Sequence, residues 1–234
     1  GVFAMTLHDT VHDTSFRATK TVFCFDDMLV CLGSDIQNSD GTHTTITSLF
    51  QTAVTTDRPT VVNGEMVQTI PYTSQGASGQ AAWLMDGMGN GYVLPDGGGL
   101  RVRRQMQATG DFGEEGGGEG NFELAWIDHG SAPNDAAYEY ALLVQTDIQR
   151  VRRITETPEY KVLHKNRRAH ILRHPASKST GYALFEVGAI PVDGAVADVD
   201  LPCILMTREV DDGLLIGAAD PDYGWNRRIQ APHQ

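Results

Sequence analysis

Turn-forming residues divide this chain into short segments, and their spacing is the feature that most limits the possible folds. They fall at Asp26-Asp27, Ser39-Asp40-Gly41, Asn63-Gly64, Gly89-Asn90-Gly91, Pro95-Asp96-Gly97 and Asp211-Asp212-Gly213. The segments rich in β-forming residues predict strands at 1–7, 18–25, 28–33, 43–54, 80–85, 91–94, 100–107, 121–127, 136–145, 160–164, 169–173, 181–187, 203–209 and 214–218. Short strands at this spacing predict an all-β sandwich or barrel rather than βαβ units.

The segment around Asp26-Asp27 predicts a hairpin that is apolar on both sides. A two-residue turn there places Phe23, Phe25, Met28 and Val30 on one face. The opposite face carries Val22, Cys24, Leu29 and Cys31. An antiparallel sheet in a two-layer sandwich usually exposes one face to water. We therefore expect these strands to be covered on both sides, within a thicker stack.

A single short helix is predicted in the C-terminal half. Thr146 to Gln149 have the Thr-x-x-Gln form of a capping box, helix-forming residues follow to Ile154, and Pro158 ends the segment. The helix is expected to link two β units. We place the boundary within it, so that residues 1–150 belong to a first β domain and residues 151–234 to a second, smaller β-sandwich.

Charge and hydropathy exclude two classes of partner. The chain has 18 Lys and Arg against 30 Asp and Glu, which gives a net charge of −12. Such an acidic chain as a whole repels nucleic acid, so none is expected as a partner. No apolar run is long enough for a bilayer-spanning helix, and the first residues have no signal-peptide pattern. Because the chain opens inside a predicted strand, we expect a processed protein or a fragment.

The three cysteines do not predict a disulfide framework. In the predicted hairpin, Cys24 and Cys31 are diagonal neighbours, with Cα atoms about 7–8 Å apart. That separation exceeds disulfide geometry. We expect Cys24, Cys31 and Cys203 to be buried free thiols.

Two polar segments have some features of metal or phosphate sites. His8-Asp9 and His12-Asp13 have ligand spacing for a helix, but their neighbours favour strand or loop, where four residues span about 13 Å. A polar turn is the favoured interpretation, and no metal or cofactor is expected. The glycine- and glutamate-rich run 110–120 lacks a Gly-Lys-Ser/Thr continuation, so we read it as a solvated hairpin loop.

His129, Asn134, Tyr138 and Tyr140 form the strongest candidate catalytic set. A lyase acting on uronides needs a group that neutralises a carboxylate and a Tyr or His that moves a proton. Tyr138 and Tyr140 share one face of a predicted strand, and an adjacent strand is expected to bring His129 near. Buried tyrosines of sandwiches usually have structural roles, which is the reading we favour. No catalytic residue is therefore assigned.

Basic residues cluster in spite of the acidic total. The clusters are Arg101, Arg103 and Arg104; Arg150, Arg152 and Arg153; and Lys161, Lys165, Arg167 and Arg168. Arg101 and Arg103 share one strand face and are placed to contact an anionic sugar. The cations of the second cluster suit the C-terminal end of a helix. A solvated surface is the interpretation adopted for all three, and specific substrate-binding residues stay unassigned.

Four segments carry motifs that are recognisable together. Residues 16–27 read Phe-Arg-Ala-Thr-Lys-Thr-Val-Phe-Cys-Phe-Asp-Asp, and residues 30–36 read Val-Cys-Leu-Gly-Ser-Asp-Ile. Residues 44–46 read Thr-Thr-Ile, and residues 126–140 contain Trp-Ile-Asp-His-Gly, Pro133 and Tyr-Glu-Tyr. In this order they resemble the C-terminal β part of polysaccharide lyase family 8, which includes chondroitin, hyaluronate and xanthan lyases.

Further matches resemble the broad-specificity chondroitin sulfate ABC lyases within that family. They are Gly-Asn-Gly-Tyr at 89–92, Glu-Gly-Asn-Phe at 119–122, Thr-Gly-Tyr-Ala at 180–183 and Ala-Asp-Pro-Asp at 219–222. The resemblance implies an antiparallel β-supersandwich followed by a smaller C-terminal β-sandwich. It also implies an upstream α/α toroid that supplies the catalytic residues, and this chain has no segment that matches the toroid or its catalytic motif.

The function implied by the resemblance is cleavage of a glycosaminoglycan by β-elimination. The expected substrates are chondroitin sulfate, dermatan sulfate or hyaluronan, the product is a 4,5-unsaturated uronide, and residues 1–234 alone are expected to be inactive. Family members are bacterial and exported, which implies a secreted or periplasmic protein. Two alternatives remain: a non-catalytic carbohydrate-binding or scaffold module, and an enzyme with its own site at His129, Tyr138 and Tyr140.

Overall fold

The structure, a computed structural model, describes residues 1–54, 58–74, 79–108 and 118–220. The first strands in chain order are β1 (Val2–His8), β2 (Arg17–Phe25), β3 (Met28–Gln37), β4 (Thr44–Ala53), β5 (Thr60–Val62), β6 (Glu65–Val67), β7 (Tyr72–Thr73), β8 (Ala82–Met85), β9 (Gly91–Leu94), β10 (Leu100–Ala108), β11 (Glu119–Ser131) and β12 (Ala136–Leu143). Helix α1 (Ile148–Glu156) follows, and then β13 (Lys161–Asn166), β14 (Ala169–His174), β15 (Ser179–Leu184), β16 (Gly188–Ala189), β17 (Asp198–Val199), β18 (Cys203–Val210) and β19 (Gly213–Ala219).

Every strand predicted from the sequence is present, with ends shifted by a few residues. The strands that the prediction missed are β5, β6, β7, β16 and β17, each only two or three residues long. Segments this short do not display an alternation of apolar and polar residues. The Asn63-Gly64 turn, in contrast, was evident and joins β5 to β6, with Val62 opposite Glu65.

The strands form antiparallel sheets, which confirms the predicted all-β class. The largest sheet has eight strands in the order β1-β2-β3-β12-β9-β8-β5-β6. A four-stranded sheet has the order β4-β11-β10-β7, and a five-stranded sheet has the order β13-β14-β15-β18-β19. Strands β16 and β17 form a separate pair.

The predicted hairpin at Asp26-Asp27 forms with the expected register. Phe25 pairs with Met28, which leaves a two-residue turn in which Asp26 has a φ of 48°. Cys24 lies opposite Leu29, and Cys31 opposite Val22, as the alternation indicated. The register was predictable because a two-residue turn between alternating segments leaves no other pairing.

The eight-stranded sheet is covered on both faces, as this hairpin predicted. On one face, residues such as Leu94 and Tyr138 pack with Val102 and Ile127 of the four-stranded sheet. On the other face, Phe23, Val30 and Leu143 pack with Val151 and Ile154 of α1 and Leu172 of the five-stranded sheet. The eight-stranded sheet is therefore the middle layer of a stack.

All three cysteines are free thiols, but one of them is placed differently from the prediction. Cys31 is buried and Cys203 is partly buried, whereas Cys24 is exposed. The neighbour of Cys24 on the β1 side is Gly1, which bonds to its backbone and has no side chain to cover the thiol. The prediction of a buried thiol is wrong for Cys24 for this reason.

The helix begins one residue later than its capping box suggested. Asp147 is the N-cap, and its carboxylate accepts a hydrogen bond of 2.9 Å from the backbone N–H of Arg150. The hydroxyl of Thr146, the predicted cap, is buried without a hydrogen-bond partner in the part of the chain that the structure describes. An aspartate satisfies the first free N–H groups as well as a threonine does, so two candidate caps in succession left the start ambiguous.

Strands before and after α1 belong to different sheets, but the two parts share a core. Val162 and Met206, from strands that follow the helix, pack against the cluster that contains Phe23 and Val30. A division into independent domains at residues 150 and 151, a boundary that falls inside α1, stays a prediction. Among the described residues, no helix has the length and apolar character needed to cross a membrane.

Candidate functional site

The structure brings together three of the four residues of the candidate catalytic set. His129 lies near the end of β11, and its ring centroid is 6.2 Å from that of Tyr138 on β12. The Tyr138 and Tyr140 rings are stacked at 5.8 Å. Asn134 lies exposed in the loop between β11 and β12 and does not join the group. The contact with His129 is made across two sheet layers and not between adjacent strands, because β11 and β12 belong to different sheets.

Of these rings Tyr138 is buried in the sandwich, and His129 and Tyr140 are partly buried. Tyr138 is 6% exposed, and its ring lies over Gly33, the residue opposite it on β3. A Cβ atom added at Gly33 would lie 2.1 Å from the Tyr138 ring. The His129 ring also has a polar neighbour, since its Nε2 is 2.8 Å from the hydroxyl of Thr47 on β4. The glycine thus makes room for an aromatic side chain in the core between the two layers.

Burial shifts the pKa values of this group away from their ordinary values. Burial raises the pKa of Tyr138 and the pKa of Tyr140 well above the ordinary tyrosine value. Burial also raises the pKa of the neighbouring Cys31 thiol to about 11. The pKa of His129 is lowered, again chiefly because it is buried. A catalytic base needs a pKa near the working pH, so this arrangement favours a structural role.

The basic cluster on β10 separates into one buried and two outward-facing residues. Arg104 is 4% exposed, so the interpretation of this cluster as a solvated surface is wrong for Arg104. Arg101 and Arg103 do share the opposite face, as the alternation predicted. Because successive residues of a strand point to opposite sides, adjacent Arg103 and Arg104 necessarily diverge.

Arg104 pairs with Glu123 between the eight-stranded and four-stranded sheets. Arg104 Nε is 3.0 Å from Glu123 Oε2, and the side chains are 5% and 3% exposed. Arg104 Nη1 donates a hydrogen bond of 2.6 Å to the carbonyl of Val67, and the hydroxyl of Thr60 donates to Glu123. Burial raises the pKa of Glu123, while Thr60 and Arg104 oppose that shift. The pair therefore ties β5 and β6 of one sheet to β10 and β11 of the other.

The outer face of the four-stranded sheet combines cations with an aromatic ring. Trp126 on β11 lies opposite Arg101 on β10 and is partly buried. The guanidinium carbon of Arg103 lies over the Trp126 ring, 5.3 Å from its centroid. Arg101 Nε is 3.6 Å from a carboxylate oxygen of Asp128. We call Arg101, Arg103 and Trp126 the Arg–Trp face.

The other basic clusters form ion pairs at the surface of the layers. Arg150 binds Asp27 at the β2–β3 turn with both terminal nitrogens, and Arg153 lies 3.4 Å from Glu159. Lys165 donates a hydrogen bond of 3.3 Å to the carbonyl of Tyr138. Arg168 pairs with a carboxylate, that of Glu186, at 2.9 Å. The pairings of Arg150 and Lys165 connect the helix and the C-terminal strands to the eight-stranded sheet.

The segment with His8, Asp9, His12 and Asp13 is a polar turn. Asp9 Oδ1 accepts backbone hydrogen bonds of 2.8 Å from Val11 and 3.0 Å from His12. Asp13 does the same for Ser15 at 3.0 Å. Among the residues that the structure describes, no group of three His, Cys, Asp or Glu side chains is arranged to hold a metal ion. The glycine-rich run 110–120, for which the sequence predicts a hairpin loop, lies mostly outside the described residues.

One buried polar residue was not found from the sequence. His170 on β14 is fully buried, with Nδ1 2.7 Å from the hydroxyl of Thr21 and Nε2 2.8 Å from the hydroxyl of Ser34. Burial lowers its pKa to about 3. Its partners are 149 and 136 residues away along the chain, so no local pattern signalled the contact.

Comparison with known proteins identifies the family of this fold and these motifs. Residues 1–154 match the sequence model of polysaccharide lyase family 8, super-sandwich domain. The chain belongs to this family. The resemblance noted in the motifs of residues 16–46 and 126–140 is thereby confirmed.

Relatives within the family include chondroitin sulfate lyases. The chain is 34% identical over 225 residues to the chondroitin sulfate ABC endolyase of Proteus vulgaris. It is 35% identical over 235 residues to the chondroitin sulfate ABC exolyase of Bacteroides thetaiotaomicron. The matches cover 94% and 97% of this chain but only 22% of each relative, so the family 8 chain spans about a fifth of their length.

Solved structures support the same architecture. A chondroitinase AC lyase structure superposes with a TM-score of 0.82 at 23% identity, over 94% of this chain and 32% of that chain. A Paenibacillus xanthan lyase gives a TM-score of 0.80 at 24% identity, with coverage of 94% and 22%. At these identities the likeness establishes the fold, and it confirms the super-sandwich architecture.

Proposed function

We propose that this family 8 chain is the β part of a glycosaminoglycan lyase whose catalytic residues lie on a segment outside residues 1–234. The reaction removes the C5 proton of a uronate, breaks the C4–O bond and transfers a proton to the departing oxygen. The product is a 4,5-unsaturated uronide. We propose chondroitin sulfate, dermatan sulfate or hyaluronan as the substrate, because the related proteins are named for chondroitin sulfate and hyaluronate.

The observation that carries this proposal is the match of residues 1–154 to the family 8 super-sandwich domain, in a chain that covers only 22% of two of its relatives. Tyr138 is buried between two sheets and Tyr140 is partly buried against the same core, and both have raised pKa values. Acid–base groups must reach the substrate within hydrogen-bond distance. The short span of the chain relative to its relatives supports an upstream segment, an α/α toroid, as their source.

The decisive experiment compares two polypeptides on chondroitin sulfate and hyaluronan. The complete polypeptide that contains this chain is expected to raise the ultraviolet absorbance of the unsaturated uronide, and residues 1–234 alone are not. Robust turnover by residues 1–234 would contradict the proposal that the catalytic residues lie outside this chain. No turnover by the complete polypeptide would favour the alternative, a carbohydrate-binding or scaffold module without catalysis.

A tyrosine variant separates this proposal from an enzyme with its own interior site. Tyr140→Phe removes the hydroxyl beside Cys31 but keeps the ring that stacks on Tyr138. We expect the complete polypeptide to retain its turnover number, with a modest loss of stability of about 1 kcal/mol. A complete loss of turnover with the fold intact would instead place the catalytic site at His129, Tyr138 and Tyr140.

The proposed location is outside the cytoplasm, secreted or periplasmic. Glycosaminoglycans are large polyanions that do not cross a bilayer unaided, so an enzyme that degrades the polymer has to meet it outside. Fractionation of the producing cells tests this point. Recovery of the native polypeptide only from the cytoplasmic fraction would contradict it.

A further inference from the structure

The Arg–Trp face differs in composition from the rest of this acidic protein. Neighbouring residues on the same strands, Val102, Ala125 and Ile127, point into the core between the two sheets and are almost fully buried. Arg101, Arg103 and Trp126 therefore point away from the core. The protein has a net charge of −12, yet the described residues around Trp126 on this face include two arginines and the carboxylate of Asp128. It is a local cationic patch on the outside of the stack.

Arg103 is arranged to bind an anion. Its side chain is exposed, and among the described residues it has no carboxylate partner within ion-pair distance. The guanidinium carbon lies over the Trp126 ring, 5.3 Å from its centroid. A guanidinium stacked on an aromatic ring keeps its N–H groups in the plane of the stack, where they form paired hydrogen bonds with a carboxylate. The stack also fixes the side chain, so less conformational entropy is lost on binding.

Arg101 provides a second cation in register with the first. The two residues are separated by one position on β10, which places their Cα atoms about 6.6 Å apart along the strand. The contact of Arg101 with Asp128 is long, at 3.6 Å, and both side chains are partly exposed, at 35% and 27%. An exposed ion pair of this kind is worth little and exchanges readily for a ligand carboxylate.

Trp126 supplies an apolar surface beside these cations, on the neighbouring strand β11. Its partner on the other side, Ser48 of β4, is a small and exposed residue. A pyranose ring has one face of C–H groups and a rim of hydroxyls, so it buries its apolar face on an indole while its carboxylate reaches a neighbouring arginine. Phosphate-rich polymers such as nucleic acid lack this apolar saccharide face.

We propose that the Arg–Trp face is a binding surface for a linear polysaccharide that contains uronate residues. Arg103 and Arg101 bind uronate carboxylates, and Trp126 contacts the sugar ring beside them. The surface deepens the proposed function, on which its choice of ligand rests, and adds a contact for the polymer apart from bond cleavage.

Binding of the 234-residue chain to size-defined hyaluronan, chondroitin sulfate and neutral dextran tests the inference. Residues 1–234 are expected not to cleave the polymer, so titration calorimetry reads binding alone. We expect both acidic polymers to bind, dextran not to bind, and Arg103→Gln to weaken binding about tenfold. Higher salt should weaken wild-type binding, because exposed charge pairs are screened.

A matched control is available on α1. The Arg152 guanidinium lies 5.7 Å from the Trp83 ring, but Trp83 is only 8% exposed and offers no open surface. Arg152→Gln removes the same kind of contact and should leave polysaccharide binding unchanged. Equal affinity of wild type and Arg103→Gln, or equal weakening by Arg152→Gln, would overturn the inference. Binding of chondroitin sulfate without hyaluronan would overturn it as well, because it would assign recognition to sulfate.

Failure of this inference is distinguishable from failure of the proposed function. If the complete polypeptide releases unsaturated uronide and Arg103→Gln binds polysaccharide as well as wild type does, the lyase function stands and the binding surface is contradicted. In the opposite case, Arg103→Gln abolishes binding and the complete polypeptide releases no unsaturated uronide. That result would support the binding surface and contradict the proposed lyase function.

Discussion

Arg104 Nε lies 3.0 Å from Glu123 Oε2 in the space between the eight-stranded and four-stranded sheets, and neither side chain is more than 5% exposed. Both residues also bond to the opposite sheet, through Val67 and Thr60. The two layers are therefore joined by a buried ion pair as well as by apolar packing. A buried pair is sensitive to the loss of either member, because the remaining charge is left without a partner.

Removal of one member of this pair should strongly destabilise the protein. We expect Glu123→Ala to lower the free energy of unfolding by about 3–5 kcal/mol, since it leaves Arg104 buried and unpaired. Arg103→Ala, on the adjacent outward-facing position, should change it by less than about 0.5 kcal/mol. Urea denaturation of both variants measures the difference, and similar values for the two would contradict the buried pairing.

The stability of the protein should fall in mildly acidic solution because of His170. Its folded pKa is about 3, whereas an unfolded histidine titrates near 6.5. Between these values the unfolded chain binds a proton that the folded chain does not, so stability is present above the unfolded pKa and is lost as the pH falls. At pH 5 the loss from this residue is about 2 kcal/mol.

The variant His170→Gln isolates that contribution, because it cannot be protonated. Lys165 and His164 also depress the pKa of His170, and His129 and His174 have lowered pKa values of their own. The comparison is therefore between the pH slopes of wild type and variant from pH 7.5 to 5. His12→Gln, at an exposed position in the polar turn after β1, is the control. An unchanged slope in His170→Gln would refute the assignment.

A methyl group at Gly33 should disturb the packing of the two layers. Its Cβ would lie 2.1 Å from the ring of Tyr138, a distance that no packed atoms tolerate. We expect Gly33→Ala to cost about 1–3 kcal/mol of stability, the usual range for overpacking. Gly41→Ala should be close to neutral, because a Cβ there meets nothing within 4 Å. Thermal unfolding of the two variants checks the contrast, and a neutral Gly33→Ala would show that the ring moves freely.

The start of α1 can be assigned by substitution of its two candidate caps. Asp147→Ala should lower stability by about 1 kcal/mol, because the N–H of Arg150 loses its acceptor. Thr146→Val should not lower it, since the Thr146 hydroxyl is buried without a partner in the described part of the chain. A capping box centred on Thr146 requires the reverse order, which chemical denaturation would reveal.

Much of the fold was accessible from local patterns. The hairpin at Asp26-Asp27 fixed both its register and its need for cover on two faces, because alternation and turn length leave one consistent arrangement. The same alternation implied that Arg103 and Arg104 diverge, although charge clustering suggested a single solvated group. The cap at Asp147 and the exposure of Cys24 depended on neighbours that no local pattern distinguishes.

The sequence by itself determined the longer strands, the hairpin register and the family, since these follow from period-two alternation, turn residues and ordered motifs. Only the tertiary structure decided which sheet each strand joins and what each polar side chain meets. His170 reaches Thr21 and Ser34 across more than a hundred residues, and Tyr138 meets His129 across two layers. Such contacts depend on how layers stack, and stacking is set by the sum of many weak apolar contacts rather than by any local signal.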